Sequence, residues 1–463
     1  MKKGQKKFLA ILCSVGLCLA MAGCGSNGET TQSSESAASQ TQTQESTQAA
    51  ESTESTQNGD SASGETVTLD VWCWSPNEDL LQTGVDMYNE LGHNVELNVT
   101  ILALADVRTR ITTIANSGDY SQLPDIILMQ DTSIPMLVRS YPDVFHSLAD
   151  SGINTDDYDQ SKIAWCSYNG ELYAVPFDSG VGVACYRTDY LEQAGYTIDD
   201  LWDITWSEFQ AIGEDVLEQT GHPLLSTASD ATLLTMMLNS TGESYFDEEG
   251  NVNLNNNETL FTIFERFRDM ADSGTIQVVT NWDEYMSSLN AGSSAGTING
   301  MWILNSVKQA PDQSGNWGIA NLPSVDGIEG ATNYAASGGS SWMITSNCSD
   351  YETALDLLTT VMGGELSDAF YQDILLDSNY IAGYLPTAGN EEIYNTPDDF
   401  FNGDTIYATL GQFVDQLPAS NTSSAYDETI NAVATALTNV LNGADIQSEL
   451  DNAQSTVDFA MGN

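Results

Sequence analysis

The chain has 463 residues, 41% of them hydrophobic, enough for two or three domains with sizeable cores. Its 66 acidic and 12 basic side chains leave a formal charge of -54, which excludes nucleic acid and anionic polymers as partners and suits solubility outside a cell. Most of these charges read as solvated surface and identify no substrate.

Residues 1–23 are predicted to be a secretory leader. Lys2, Lys3, Lys6 and Lys7 form a basic start, and Phe8 to Ala20 is an apolar stretch too short for a comfortable membrane span. Four of the twelve basic residues and no acidic one leave with it, so the mature balance is 8 against 66. The leader ends Met21-Ala22-Gly23-Cys24, which resembles a bacterial lipobox with Met21 where Leu usually stands. That resemblance implies that Cys24 is lipidated. Residues 24–65 read as a tether: Ser26 to Glu65 contain no Leu, Ile, Val, Met, aromatic, Lys or Arg residue and cannot bury apolar surface. A flexible coil of that length reaches about 35 Å.

The body opens with Val67, Leu69 and Val71 at strand spacing, then Leu81, Val85 and Tyr88 at helical spacing. Val95, Leu97, Val99 and Ile101 alternate again, Val107, Ile111 and Ile114 return to helical spacing, and DIILMQD reads as a short apolar strand. Such alternation predicts an α/β lobe with a largely parallel sheet, whose ligands bind beyond the carboxyl ends of strands. Those ends carry Trp74, Ser75, Asn77 and Glu78 in one place and Gln130, Asp131 and Thr132 in another. Trp72 alternates with Val71 and Cys73 and reads as core.

From Trp165 to Gly195 an Asn169-Gly170 turn leads through Pro176 and the polar Asp178, Ser179 and Gly180 into a strand and a short helix, so the chain leaves one body and enters another. Thr205 to Glu208 is a capping box for a helix carrying Phe209, Ile212 and Val216. Thr227 to Asp230 is a polar break. Asp247 to Glu258 reads as a turn plus a helix cap, because an EF-hand loop wants glycine where Val252 stands. Gly292, Ser294 and Gly296 match a nucleophile-elbow spacing, but a helical segment precedes them where that elbow needs a strand. NYAASGGSSWMI looks like a second crossing and Leu385-Pro386-Thr387 like a third; helices follow over Ile430 to Val440 and Ile446 to Phe459. Cys73, Cys166, Cys185 and Cys348 show no C-x-x-C spacing. A disulfide between Cys166 and Cys185 is open, with buried free thiols the preferred reading. No catalytic residue, metal or cofactor is assigned.

The strand with Trp74, PDIILMQD, the first crossing, TWSEF, GTINGMW, SGGSSWMI and YLPT occur in an order that resembles family one of the extracellular solute-binding proteins of sugar-type ABC importers, over roughly residues 66–463. The resemblance implies a two-lobed α/β fold, each lobe a mostly parallel sheet flanked by helices, joined by three crossings and closing on a sugar. Residues 66–177 with 330–385 would form one lobe and 178–329 with 386–463 the other. It also implies ligand contacts at Trp74, Asn77, Glu78, Asp131, Asp178, Ser179, Asp230, Trp302, Gly339 and Tyr426; no aromatic stands beside Asp230, where the family often has one. The function implied is that of a monomeric, lipid-anchored carbohydrate receptor on the outer face of the cell membrane. It would hand its ligand to the separate permease subunits of an ABC importer. A same-fold receptor for a polyol or peptide, and a surface glycosidase using paired carboxylates, stay open as alternatives.

Overall fold

A computed structural model of the chain describes residues 66–462. The leader, Cys24 and the tether lie outside the described residues. The first part runs β1 (Val67–Cys73), α1 (Asn77–Glu90), β2 (Val95–Ile101), α2 (Leu104–Ser117) and β3 (Ile126–Gln130). The spacing explains the order: Leu81, Val85 and Tyr88 bury one face of α1, and Val107, Ile111 and Ile114 one face of α2. Next come α3 (Ile134–Ser140), α4 (Gln160–Cys166), and the hairpin of β4 (Ser167–Tyr168) and β5 (Glu171–Leu172). Asn169 and Gly170 turn that hairpin with φ of 52° and 81°, a conformation their short or absent side chains tolerate. β6 (Val175–Asp178) ends this part.

The second part runs β7 (Gly182–Arg187), α5 (Thr188–Ala194), α6 (Trp206–Thr220), β8 (Leu225–Ala228), α7 (Thr232–Asn239), α8 (Glu258–Ser273), β9 (Ile276–Val279), α9 (Trp282–Asn290), β10 (Gly296–Gly300), α10 (Ile303–Val307) and β11 (Trp317–Ala320). The capping box of α6 is present: Glu208 N–H donates to Thr205 Oγ1 at 3.3 Å, and Thr205 N–H donates to Glu208 Oε2 at 2.8 Å. Asn257 caps α8 through the N–H of Leu260 at 2.7 Å. The chain returns through β12 (Ser340–Ile344) and ends in helices α11 (Tyr351–Gly363), α12 (Ser367–Ser378), α13 (Leu385–Ala388), α14 (Glu391–Tyr394), α15 (Ile406–Val414), α16 (Tyr426–Leu441) and α17 (Ile446–Met461).

One sheet has the order β2-β1-β3-β12-β6; β1 is parallel to β2 and β3, and β12 is antiparallel to β3 and β6. The other main sheet, β10-β7-β11, is antiparallel at both pairings, and β8 pairs in parallel with β9 alone. This corrects the expectation of a mostly parallel sheet in each lobe. Residue spacing reports the period of a strand but not its direction, which the connections set.

Two apolar clusters hold the fold. One gathers Val71, Ile127, Phe177, Trp342, Tyr371 and Leu410; the other gathers Trp206, Phe209, Phe264, Leu322, Leu437 and Val457. β7 divides its sides between them: Val183 and Cys185 join the first, Ala184 and Tyr186 the second. α13 to α15 contribute Ala388, Ile393, Tyr394 and Leu410 to the first cluster, while α16 and α17 pack in the second.

The crossings lie backbone to backbone. Ser179 N–H donates to Ile381 O at 2.8 Å and Gly383 N–H to Phe177 O at 2.9 Å, while Ser337 N–H donates to Gly180 O at 2.5 Å and Gly182 N–H to Ala335 O at 2.8 Å. A Cβ on Gly180 would stand 2.4 Å from Gly338 O, so only glycine fits there. Residues 381–383 reach this ladder through an isolated bridge between Asp178 and Ala382; Leu385–Ala388 beyond them forms the short helix α13. Cys73, Cys166, Cys185 and Cys348 are buried free thiols. No helix among the described residues is long and apolar enough to cross a membrane.

Candidate functional site

Lys162, on α4, lies buried at the base of a cavity of about 360 Å³. Its Nζ donates to Asp131 Oδ2 at 2.6 Å and to Ser340 O at 2.8 Å. Asp131 sits in the turn just past β3, at the carboxyl end of the strand, and its Oδ1 accepts from Ser341 Oγ at 2.6 Å. Asp159 caps α4: its Oδ1 accepts from the N–H of Ser161 at 2.9 Å, and its Oδ2 accepts from Ser179 Oγ at 3.2 Å. Asp178 Oδ1 accepts from Ser340 N–H at 2.8 Å and Ser340 Oγ at 2.6 Å. Gly339, with φ of 105°, lets the backbone press against Asp131; a Cβ there would stand 2.5 Å from Asp131 Oδ2. One polar network therefore joins the end of β3, the start of α4 and two crossings.

Burial sets the electrostatics. It pushes the carboxyls of Asp131 and Asp159 up to about 6 each, with the nearby Lys162 ammonium opposing the rise. Burial works to lower Lys162, but Asp131 and Asp178 outweigh it and hold the ammonium above its ordinary value, so the lysine stays charged.

Aromatic side chains form the walls. Trp165 meets Tyr426 edge-on with ring centroids 4.9 Å apart, and both line the cavity with Tyr245 and Phe246. Trp302, half-buried, donates from Nε1 to Ser337 O at 3.3 Å and leans on Trp282 at 5.5 Å. Asp427, in the first turn of α16, lines the cavity and forms an ion pair with Arg108. Flat apolar faces beside carboxylates, amides and backbone carbonyls suit a ligand that has C–H faces and hydroxyl edges.

Of the residues expected from the sequence, Asp131, Trp302 and Tyr426 line this cavity. Ser179, Asp178 and Gly339 lie one layer behind, tied to it through Asp159, Ser340 and Asp131. Trp74, Asn77 and Glu78 are not among its lining residues. They form a turn closed on itself, with Asn77 Nδ2 donating to Trp74 O at 2.8 Å and Ser75 Oγ donating to Glu78 Oε1 at 2.7 Å. Asp230 is exposed and accepts from Thr232 N–H at 3.0 Å, just ahead of α7.

Sequence reasoning missed Asp159, Lys162 and Trp165, and a whole helical face. Thr232, Thr235, Met236 and Asn239 of α7 all line the cavity, at the i, i+3, i+4, i+7 spacing of one stripe. That spacing, with two threonines and an asparagine in it, was the available signal. For Lys162 the signal was an isolated lysine in a cation-poor chain.

The sequence matches the family described as bacterial extracellular solute-binding protein over residues 84–398. It is 32% identical over 383 residues to the lactose-binding protein of Rhizobium radiobacter, spanning 82% of this chain and 90% of that relative. It is 23% identical over 421 residues to the arabinooligosaccharide-binding protein of Halalkalibacterium halodurans, spanning 87% of this chain and 91% of the other. A solved structure described as an extracellular solute-binding protein of family 1 superposes with a TM-score of 0.71 at 16% identity, over 85% of this chain and 99% of that one, which shows a shared fold. Together with its two-lobed α/β architecture, these matches show that the chain belongs to the bacterial extracellular solute-binding proteins.

Proposed function

We propose that this protein is a carbohydrate receptor, binding an oligosaccharide in the cavity beside Lys162 and delivering it to the permease of an ABC importer. One observation carries the reading: the half-buried Trp302 and the paired rings of Trp165 and Tyr426 line one cavity together with Asp131 and Asp427. Sugars present C–H faces for such rings and hydroxyls for such carboxylates. The names of the relatives, which bind lactose and arabinooligosaccharide, support it. Asp131, Trp302 and Tyr426 would touch the ligand, and Asp178, Ser179 and Gly339 would hold the layer behind them. Trp74, Glu78 and Asp230 would meet only a ligand extending beyond the cavity, and Asn77, fully buried, would hold the Trp74 turn in shape. The crossings near 175–182, 333–339 and 381–388 would act as hinges between lobes that divide at them. A lipidated Cys24 and the 24–65 tether would hold the receptor, as a monomer, at the outer face of the membrane.

The test is a thermal-shift and calorimetric screen of purified protein against lactose, arabinooligosaccharides, polyols and short peptides. Stabilisation by a saccharide without turnover supports the reading. Hydrolysis products in the same incubation would replace it with a glycosidase, and a response confined to polyols or peptides would move the ligand class.

A further inference from the structure

Two arginines reach across the cleft to one short segment. Arg108 stands on α2, whose Val107, Ile111 and Ile114 belong to the first apolar cluster. Its guanidinium pairs with Asp427 on α16, whose Val433, Leu437 and Val440 belong to the second. The two side chains are 32% and 28% exposed, so the pair sits at a rim that solvent ions reach. Arg139, in the last turn of α3, donates to Ser424 Oγ at 2.7 Å, and Thr422 Oγ1 donates to Ala164 O at 3.4 Å. Tyr426 meets Trp165 in the same segment. Every one of these contacts lands on residues 422–427, the lead into α16.

Beneath this seam the polar packing is incomplete. The Asp131–Ser133 turn packs against α16, and the buried hydroxyls of Ser133 and Thr429 have no hydrogen-bond partner among the described residues. Two buried hydroxyls without a partner are a cost to the packing at this seam. The ion pair and the Arg139 bond act in the other direction.

We propose that residues 422–427 form an electrostatic clasp, in which the Arg108–Asp427 pair holds the two lobes together and makes the open–closed balance depend on ionic strength. A partly exposed pair is weak and screened by salt, which suits a balance that a ligand must be able to tip. The consequence for uptake rests on the receptor reading, because a receptor with a fuller closed population binds more tightly; the test itself needs no sugar.

The four thiols among the described residues are buried, so with Cys24→Ser in protein made without the leader, spin labels on Gln82→Cys of α1 and Gln447→Cys of α17, both exposed positions, report the distance between the lobes. In the full-length mature protein without added ligand, the short-distance population should fall several-fold between about 20 mM and about 500 mM NaCl. Arg108→Gln should show the small population at both salt concentrations, and Arg108→Lys, which keeps the charge, should restore most of it and its salt response. Identical distance distributions for wild type and Arg108→Gln at low salt would overturn the clasp. So would a lowered melting temperature in Arg108→Gln with unchanged distances, which would make the pair an ordinary surface contact. Failure to bind any saccharide would count against the receptor reading and leave these distances as they are.

Discussion

Lys162 and Asp131 form a 2.6 Å ion pair in which only 2% and 4% of the side-chain surface is exposed. A buried pair of this kind adds little compared with an apolar pair of the same volume, but losing one partner strands a charge. Lys162→Met is therefore expected to cost about 3–5 kcal/mol of stability. Adding Asp131→Asn should recover much of that loss, because Asn still accepts from Ser341 Oγ and carries no charge. Urea unfolding of the two single variants and the double variant measures the coupling. Additive losses would mean that the two side chains do not act as a pair.

Asp159 gives the pH dependence a sign. Its folded carboxyl titrates at about 6, raised by burial against the opposing Lys162 ammonium. A carboxyl raised by folding takes up its proton earlier in the folded state, so it favours the fold as pH falls through 6 toward 4, and that contribution is gone above 6. Asn at this position still caps α4 and can donate to Ser179 Oγ, yet cannot titrate. Asp159→Asn should therefore stand highest relative to wild type near pH ~7.5 and lose that advantage by about pH 4.5, a swing of up to about 3 kcal/mol. Melting temperatures of both proteins across that range decide it; a constant difference would place the titration elsewhere.

Trp302 should separate binding from folding. Its ring is half-buried at the cavity wall, whereas Trp342 is fully buried in the first cluster. Trp302→Ala is expected to weaken the best saccharide found in the screen by about 2 kcal/mol, roughly thirtyfold in Kd, with a small change in Tm. Trp342→Ala should cost about 3–5 kcal/mol of stability. Calorimetry and thermal melts of both variants provide the comparison. A large Tm loss with unchanged affinity in Trp302→Ala would make it a core residue.

Anchoring depends on Cys24. Cys24→Ser should leave the protein unprocessed or release it into the medium, since each buried methylene of an acyl chain contributes ~0.8 kcal/mol and more than one chain is needed to hold a protein at a membrane. Cell fractionation with immunoblotting reads the outcome. Fractionation and processing like wild type would remove Cys24 as the lipid site.

The features legible in the sequence were those encoded within a few residues. The period of two in Val67 to Val71 and of 3.6 in Leu81 to Tyr88, the Asn169-Gly170 turn and the Thr205–Glu208 box each act through near neighbours, so composition and spacing specify them. The first crossing was legible in the polar, flexible run Asp178-Ser179-Gly180 after Pro176, but the reason position 180 must be glycine, the approach of Gly338 O, was not. What only the tertiary structure decided involves partners far apart in the chain. Strand direction in the β10-β7-β11 sheet follows from the connections that return to β7. Lys162 gains its role from Asp131 and Ser340, 31 and 178 positions away. Packing alone turns the Thr232, Thr235, Met236 and Asn239 stripe of α7 toward the cavity, and it leaves Trp74, Asn77 and Glu78, which also follow the end of a strand, outside the lining. Periodicity states that a face is turned inward; only packing decides whether it meets a core or a cavity.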